Sequence, residues 1–237
     1  MAVNYYTYGA EDWLNAEELE LYNAINAYRI SLGLSEIPLS WALTTTAARH
    51  AVDTVENIGE FITTDNGGHS WSDAPYRGSD SGTYPNMWYA PDRIGTEYRS
   101  PGYEISVGYV GPGAVQNYAI TAETALSGWQ GSPGHNAVIT NTGIWASLEW
   151  KAIGVAIYKG VSHVWFGEAS DPLRFKGGIV NDVLLDNWSP DRDPTAFQVY
   201  RLYEATLDRA PDAGGHKNWT DAILNGLSPQ QAVSGFV

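Results

Sequence analysis

Trp129-Gln130-Gly131-Ser132-Pro133-Gly134-His135-Asn136 is the stretch on which the reading of this chain turns. Ser132 is an N-cap residue type, and Pro133 stands at the first helical position, where a missing N–H is tolerated. This predicts a helix opening at Ser132 with His135 in its first turn. A cation is disfavoured at that positive end, so the imidazole is expected to be neutral near pH 7. Its lone pair is then available to a metal or a proton. The competing reading is an ordinary helix start with an incidental histidine.

Outward from this stretch, apolar periodicity predicts a helix from Asn15 to Leu32. Leu21, Ile25, Tyr28 and Leu32 share its inner face, Asn15 and Glu18 form a capping box, and Gly33 is the stop. A second helix is predicted from Ser40 to Ile58, with Leu43, Ala47, Ala51 and Ile58 inward. Thr63 to Pro101 is Gly-, Ser-, Asp-, Pro- and Tyr-rich and too long for a plain connection, so it is expected to be functional or folded on itself. Tyr103–Val110 reads as a strand and Val115–Trp129 as a helix. Ala152–Ala169 reads as a hairpin turning at Lys159-Gly160, although its second strand alternates poorly. The chain becomes polar from Asp171 to Pro194. Beyond it Phe197, Tyr200, Tyr203 and Leu207 make one helical stripe, Trp219, Ile223 and Leu224 another, and Ser228-Pro229 opens a last helix. That helix runs to Val237 without a stop signal, which predicts that a longer parent chain continues.

The 237 residues are 43% hydrophobic and 13% aromatic, with ten Trp and fifteen Tyr, enough for a packed core and for aromatic-lined surfaces. A formal charge of −14 argues against nucleic acid or an anionic membrane as partner, since both would repel it. There is no cysteine, which rules out disulfides, a thiolate nucleophile and cysteine-bound zinc. No apolar run approaches the roughly 18–20 residues of a membrane span. Met1-Ala-Val-Asn-Tyr-Tyr has neither a basic nor an apolar signal region, so either the protein stays inside the cell, or its export uses a signal elsewhere, or the sequence begins after a signal.

Three residues stand out for chemistry: His69 in Gly67-Gly68-His69-Ser70-Trp71, Glu104 in Gly102-Tyr103-Glu104-Ile105, and His135. Two imidazoles and a carboxylate suit a divalent cation with an open coordination place, or acid–base work on a substrate. Glu104 also has bland partners within reach in Arg93 or Arg99. His50 reads as a helix residue packing or bonding locally, His163 as part of the hairpin face or as adjacent to the site, and His216 as a surface or cap residue of the tail.

The order and context of these motifs resemble the CAP superfamily, in its bacterial branch of SCP-like extracellular domains. That branch is related to cysteine-rich secretory proteins, antigen 5 and pathogenesis-related proteins. Asn26-Ala27-Tyr28-Arg29 before Gly33-Leu34 resembles its opening helix, and Pro38-Leu39-Ser40-Trp41 with Ala47-Ala48-Arg49-His50-Ala51 its next segment. His69-Ser70 resembles the first site histidine, Glu104 the glutamate of Gly-Glu-Asn, and Trp129 to Asn136 the second histidine motif. Ile153-Gly154-Val155-Ala156 and Val164-Trp165-Phe166-Gly167 resemble the closing strands. Two features depart from the pattern. Ile105 replaces the asparagine after the glutamate, and Gln130 with Gly131 stands where many relatives carry a second glutamate, which leaves His69, Glu104 and His135.

The tail, with Leu207-Asp208-Arg209-Ala210-Pro211-Asp212-Ala213-Gly214-Gly215, Trp219 and Leu227-Ser228-Pro229, resembles a small helical module of unassigned function in large secreted bacterial proteins. The resemblance implies an α+β fold: a three-layer α-β-α sandwich with a small antiparallel sheet, followed by a small all-α module. The expected organisation is a leader at 1–15, the CAP-like domain at 16–172 with an insertion at 63–101, a linker at 173–193, and the helical module at 194–237. Trp71, Tyr76, Tyr84, Trp88 and Tyr89 of the insertion would wall a groove or cover the core.

The expected function is that of a secreted binding or interaction module. Its His69–Glu104–His135 groove would hold zinc or magnesium, and its ligand would be a small molecule, lipid or peptide. Asp182, Asp186, Asp191 and Asp193 in the linker offer calcium-type ligands without loop spacing. The alternative is a metal-assisted peptidase or esterase with Glu104 as base. A metal-free Ser132–His135 pair is weaker, because a capping serine is already engaged.

Overall fold

The computed structural model describes residues 3–6, 14–96, 98–112, 119–171, 199, 202–203 and 213–236. The chain divides into two compact units, Met1–Arg174 and Phe175–Val237. The polar segment 173–193 with its four aspartates, and the stripe residues Phe197, Tyr200 and Leu207, lie outside the described residues.

The first unit is α+β, built on a three-stranded antiparallel sheet in the order β1-β3-β2. The strands are β1 (Gly102–Gly108), β2 (Ala152–Tyr158) and β3 (Val161–Gly167). β2 and β3 form the expected hairpin, and both turn residues have positive φ, Lys159 at 41° and Gly160 at 88°, the twist that closes a two-residue turn. β3 alternates poorly because it is the middle strand, covered on both faces, and all seven of its residues are buried.

Period-two alternation sends Tyr103, Ile105, Val107, Ile153, Val155, Ile157, Val164 and Phe166 to one face. There they meet helices α1 (Ala16–Ser31), α5 (Ala122–Gln130) and α6 (Pro133–Thr140) through Leu21, Ile25, Trp129 and Ile139. Burying an aliphatic side chain such as Leu21 or Ile25 contributes about 1.5–3 kcal/mol. The opposite face presents Ala152, Ala156, Val161 and Trp165 to α2 (Trp41–Val52) and to the segment around Trp71, Met87, Ala90 and Tyr98. The sheet therefore lies between two helical layers, the sandwich expected from the sequence.

α1 opens on the predicted capping box, with Asn15 Oδ1 accepting from Glu18 N and Glu18 Oε2 from Asn15 N. It stops one residue earlier than predicted, and Leu32 is 51% exposed rather than inward. The second predicted helix changes winding. α2 gives way at Asp53 to a π-helical turn, Asp53–Ile58, which ends on left-handed Gly59. α5 begins at Ala122, where Thr121 and Thr124 form a capping box that fixes its start, and the predicted start near Val115 lies outside the described residues. α6 opens at Ser132 as predicted, but the Ser132 side chain makes no cap bond there.

Segment 63–101 is folded on α2. It runs through a 3₁₀ turn at Thr64–His69, another at Ser81–Thr83, and the short helices α3 (Tyr84–Trp88) and α4 (Ala90–Arg93). Trp71 belongs to the core, Tyr76, Tyr84 and Trp88 are half-buried, and Tyr89 is exposed. α2 lies directly on β2, where a Cβ on Gly154 would stand 2.0 Å from the carbonyl carbon of Leu43. Its start is held from the far end of the domain. Asp171 Oδ2 accepts from Ser40 Oγ at 2.7 Å and from Ala42 N at 2.8 Å. In the second unit, helices Ala213–Leu224 and Pro229–Phe236 are described, the latter opening after Ser228, as predicted. No helix among the described residues is long and apolar enough to cross a membrane.

Candidate metal centre

The α2-facing side of the sheet is apolar except where Glu104, Ser106 and His163 stand. Glu104 is opposite Trp165 and Ser106 opposite His163 in the β1–β3 register, so the Glu104 and His163 side chains emerge one step apart. α2 lays His50 over them, and the Thr64–His69 turn brings His69 in from the side.

One carboxylate thus collects three imidazoles. His50 Nδ1 is 2.6 Å from Glu104 Oε1, and His69 Nδ1 is 2.7 Å from Oε2. His163 Nδ1 lies 2.8 Å from Oε1 but off the line of a hydrogen bond, and is left without a hydrogen-bond partner. His163 Nε2 is 3.4 Å from Thr54 Oγ1. The His50 and His163 side chains are fully buried, whereas the side chain of His69 keeps 15% of its surface open.

Charge follows from this packing. Burial pushes the Glu104 carboxyl up, but His50 and His163 pull it down further, so it lies well below the usual carboxylate range. Burial pushes His163 down to about 4, and His50 adds to the effect. His135 is also lowered, first by burial and then by the neighbouring His69. Burial, rather than the helix N-terminus, is the leading cause of this lowering, and the charge of His69 adds to it.

Of the sequence-derived trio, His69 and Glu104 are brought together at 2.7 Å, while His135 stands in the first turn of α6, where it feels the charge of His69. Gln130 is exposed at the end of α5. Arg93 and Arg99 do not partner Glu104. Arg93 pairs with Asp73 at 3.2 Å and lies over the Trp71 ring, and Arg99 pairs with Asp92. The sequence reading missed His50 and gave His163 a site-adjacent role only as an alternative. A signal was present for each, since His50 follows Ala47 by three on the inward face of α2 and His163 alternates with Val161 and Trp165.

The motifs around the trio act as struts. Arg29 Nε donates to Ser35 O at 3.1 Å, and its Nη1 donates to Asn141 Oδ1 at 2.8 Å and to Ile139 O. Tyr28 Oη donates to Asn136 Oδ1 at 3.1 Å, and Trp129 Nε1 to Ser106 O at 3.2 Å. α1 and β1 together thereby fix the two ends of the α5–α6 corner that carries His135.

His50, Glu104 and His163 could hold a metal ion. Among the described residues they form the group of three ligating side chains whose donor atoms lie within 4.8 Å of one another. In the present geometry two of those donors stand at hydrogen-bond distance, tighter than ligands around zinc at about 2.0–2.1 Å would sit.

Residues 191–237 match the family profile of a domain of unknown function, DUF4214. No curated protein matches the sequence. Among solved structures, the chain is similar to a cysteine-rich secretory protein from Staphylococcus aureus, at 12% identity and a TM-score of 0.43. That match covers 65% of this chain and 38% of the staphylococcal one, so this chain spans well under half of that relative. It is also similar to an outer surface protein from Borrelia burgdorferi, at 19% identity and a TM-score of 0.40, over 63% of this chain and 90% of that one.

Proposed function

We propose that this chain is an extracellular binding module that takes a divalent cation at the open edge of its histidine cluster. His69 and His135 are the ligands, and Glu104 stands behind His69. The observation that carries the reading is the 2.7 Å contact between His69 Nδ1 and buried Glu104. A carboxylate on one ring nitrogen orients an imidazole and leaves the other nitrogen for a metal, the common outer-shell arrangement of zinc-binding histidines. His135, lowered by burial and by His69, offers a second neutral imidazole, and the donor set of nitrogen ligands suits zinc better than magnesium. The extracellular setting rests on the motif resemblance over residues 16–170, and DUF4214 supplies the tail with a family but no activity.

The role of base in a hydrolase has less behind it. Both Glu104 oxygens are engaged by imidazoles, and the residue is 6% exposed, so neither oxygen is placed to take a proton from water. Ser132 has no base or orienting partner among the described contacts that would make it a nucleophile.

Calorimetric titration of the full chain with zinc chloride at neutral pH tests the proposal. Saturable uptake of one ion is expected in the native protein and is lost in the double variant His69→Ala/His135→Ala. An unchanged isotherm in the folded double variant would end this reading, as would no uptake by the native chain.

A further inference from the structure

The ring of His50 is held on four sides. Its Nε2 is 2.9 Å from the carbonyl oxygen of Ser70, and its Nδ1 is 2.6 Å from Glu104 Oε1. Its two faces are stacked, on Trp71 at 4.4 Å and 8° and on His163 at 4.1 Å and 28°. A carbonyl only accepts, so Nε2 carries a proton and donates it to Ser70. A half-turn of the ring would put carbon where each nitrogen now sits and break both bonds, so the stack admits one orientation. A carboxylate also only accepts, so with Glu104 ionised both His50 Nδ1 and His69 Nδ1 donate to it, and His50, donating from both nitrogens, does so as the imidazolium. The result is one connected chain, in which His50 donates to the Ser70 carbonyl and to Glu104, and His69 donates to Glu104 from the other side.

We propose that His50 is a positioning residue: it clamps the Glu104 carboxylate so that Glu104 holds His69 in the Nδ1–H tautomer, with Nε2 bare toward a ligand. The inference rests on the reading of His69 as a metal ligand, but its own consequence exists before any metal is added. His69 adjoins Ser70, the residue that anchors His50, so one turn of chain carries both the ligand and the stop behind its support. Trp71, the next residue, supplies the stacking face, and Arg93 lies over the Trp71 ring at 4.9 Å.

The test is nitrogen-15 NMR of the histidine-labelled full chain without metal, followed by zinc titration. In the native protein His69 is expected to show a protonated Nδ1 and a bare Nε2. In His50→Leu the His69 signals are expected to become those of mixed tautomers, and the zinc dissociation constant to rise about 10–100-fold. In His50→Asn the amide nitrogen occupies the place of Nδ1, so the single tautomer and most of the affinity return, a rescue that a packing role would not produce. A native His69 protonated on Nε2, or an unchanged tautomer in folded His50→Leu, overturns the proposal. If His50→Leu does not fold, His50→Asn decides alone, and loss of the single tautomer there overturns it. A native chain with the expected tautomer but no zinc uptake upholds the positioning role and sinks the cation reading.

Discussion

Gly154→Ala should be among the most damaging single-methyl changes in this protein, and the effect can be sized from the contact it creates. The new Cβ would stand 2.0 Å from Leu43 C, 2.1 Å from Thr44 N and 2.4 Å from Leu43 O, all backbone atoms of the first turn of α2. Carbon contacts settle near 3.5–4.0 Å, so the helix and strand must separate by about 1.5 Å. Overpacking usually costs about 1–3 kcal/mol because side chains give way. Here the obstacle is main chain, and α2 is held at its start by Asp171 through Ser40 Oγ and Ala42 N. A loss at the top of that range, about 3 kcal/mol, is expected. With a urea slope near 2 kcal/mol/M it would lower the unfolding midpoint by about 1.5 M. Tryptophan fluorescence reads the transition directly. The same displacement lifts His50 from Glu104, so zinc affinity should fall with stability. A midpoint loss equivalent to less than about 1 kcal/mol, at unchanged slope, would refute the claim that bare backbone packing sets the α2–sheet distance.

Two further outcomes follow from buried polar groups. His163 has its pKa lowered from 6.5 to about 4, chiefly by burial. Between those values the unfolded chain binds a proton that the folded chain refuses, so stability is intact above pH 6.5 and falls by roughly 3 kcal/mol toward pH 4. Glu104, lowered below its ordinary 4.5, adds stability that is present above that pH and is lost as pH falls through its folded value. Urea midpoints measured from pH 7 to pH 4 should decline less steeply in His163→Gln, and parallel curves would contradict the assignment. Arg29→Lys removes the fork that reaches Ser35, Ile139 and Asn141 at once, so a loss of about 2–3 kcal/mol is expected by thermal unfolding. A native melting temperature in that variant would show that the α1–α6 strut is dispensable.

Much of the scaffold could be read from local chemistry. The Asn15–Glu18 capping box, the Lys159-Gly160 turn and the Ser132-Pro133 helix start each depend on a few adjacent residues, and each is found where it was expected. What escaped depends on pairing. Nothing local says that β3 is the middle strand, yet this fact buries both its faces and spoils its alternation. The register of β1 against β3 is equally nonlocal, and it alone brings Glu104 within reach of His163. His50 was therefore readable as an inward residue but not as a partner of Glu104. The winding change at Asp53 escaped too. Asp53 accepts from Ser72 N and Ser72 Oγ at 2.6 Å, a contact made nineteen positions along the chain.

The strand order also governs how the domain can be born. β3, the last strand made, is the one both others need, so neither β1 nor β2 can begin to pair until Val161 and the residues after it are available. The Ser40–Asp171 bond spans 131 positions and comes later still. Such nonlocal closure slows the search for the native topology, and a nascent chain paused before Val161 would expose two unpaired strands to its neighbours. Truncation within β3 should therefore give insoluble protein rather than a smaller domain, and productive folding must follow, not accompany, synthesis of the sheet.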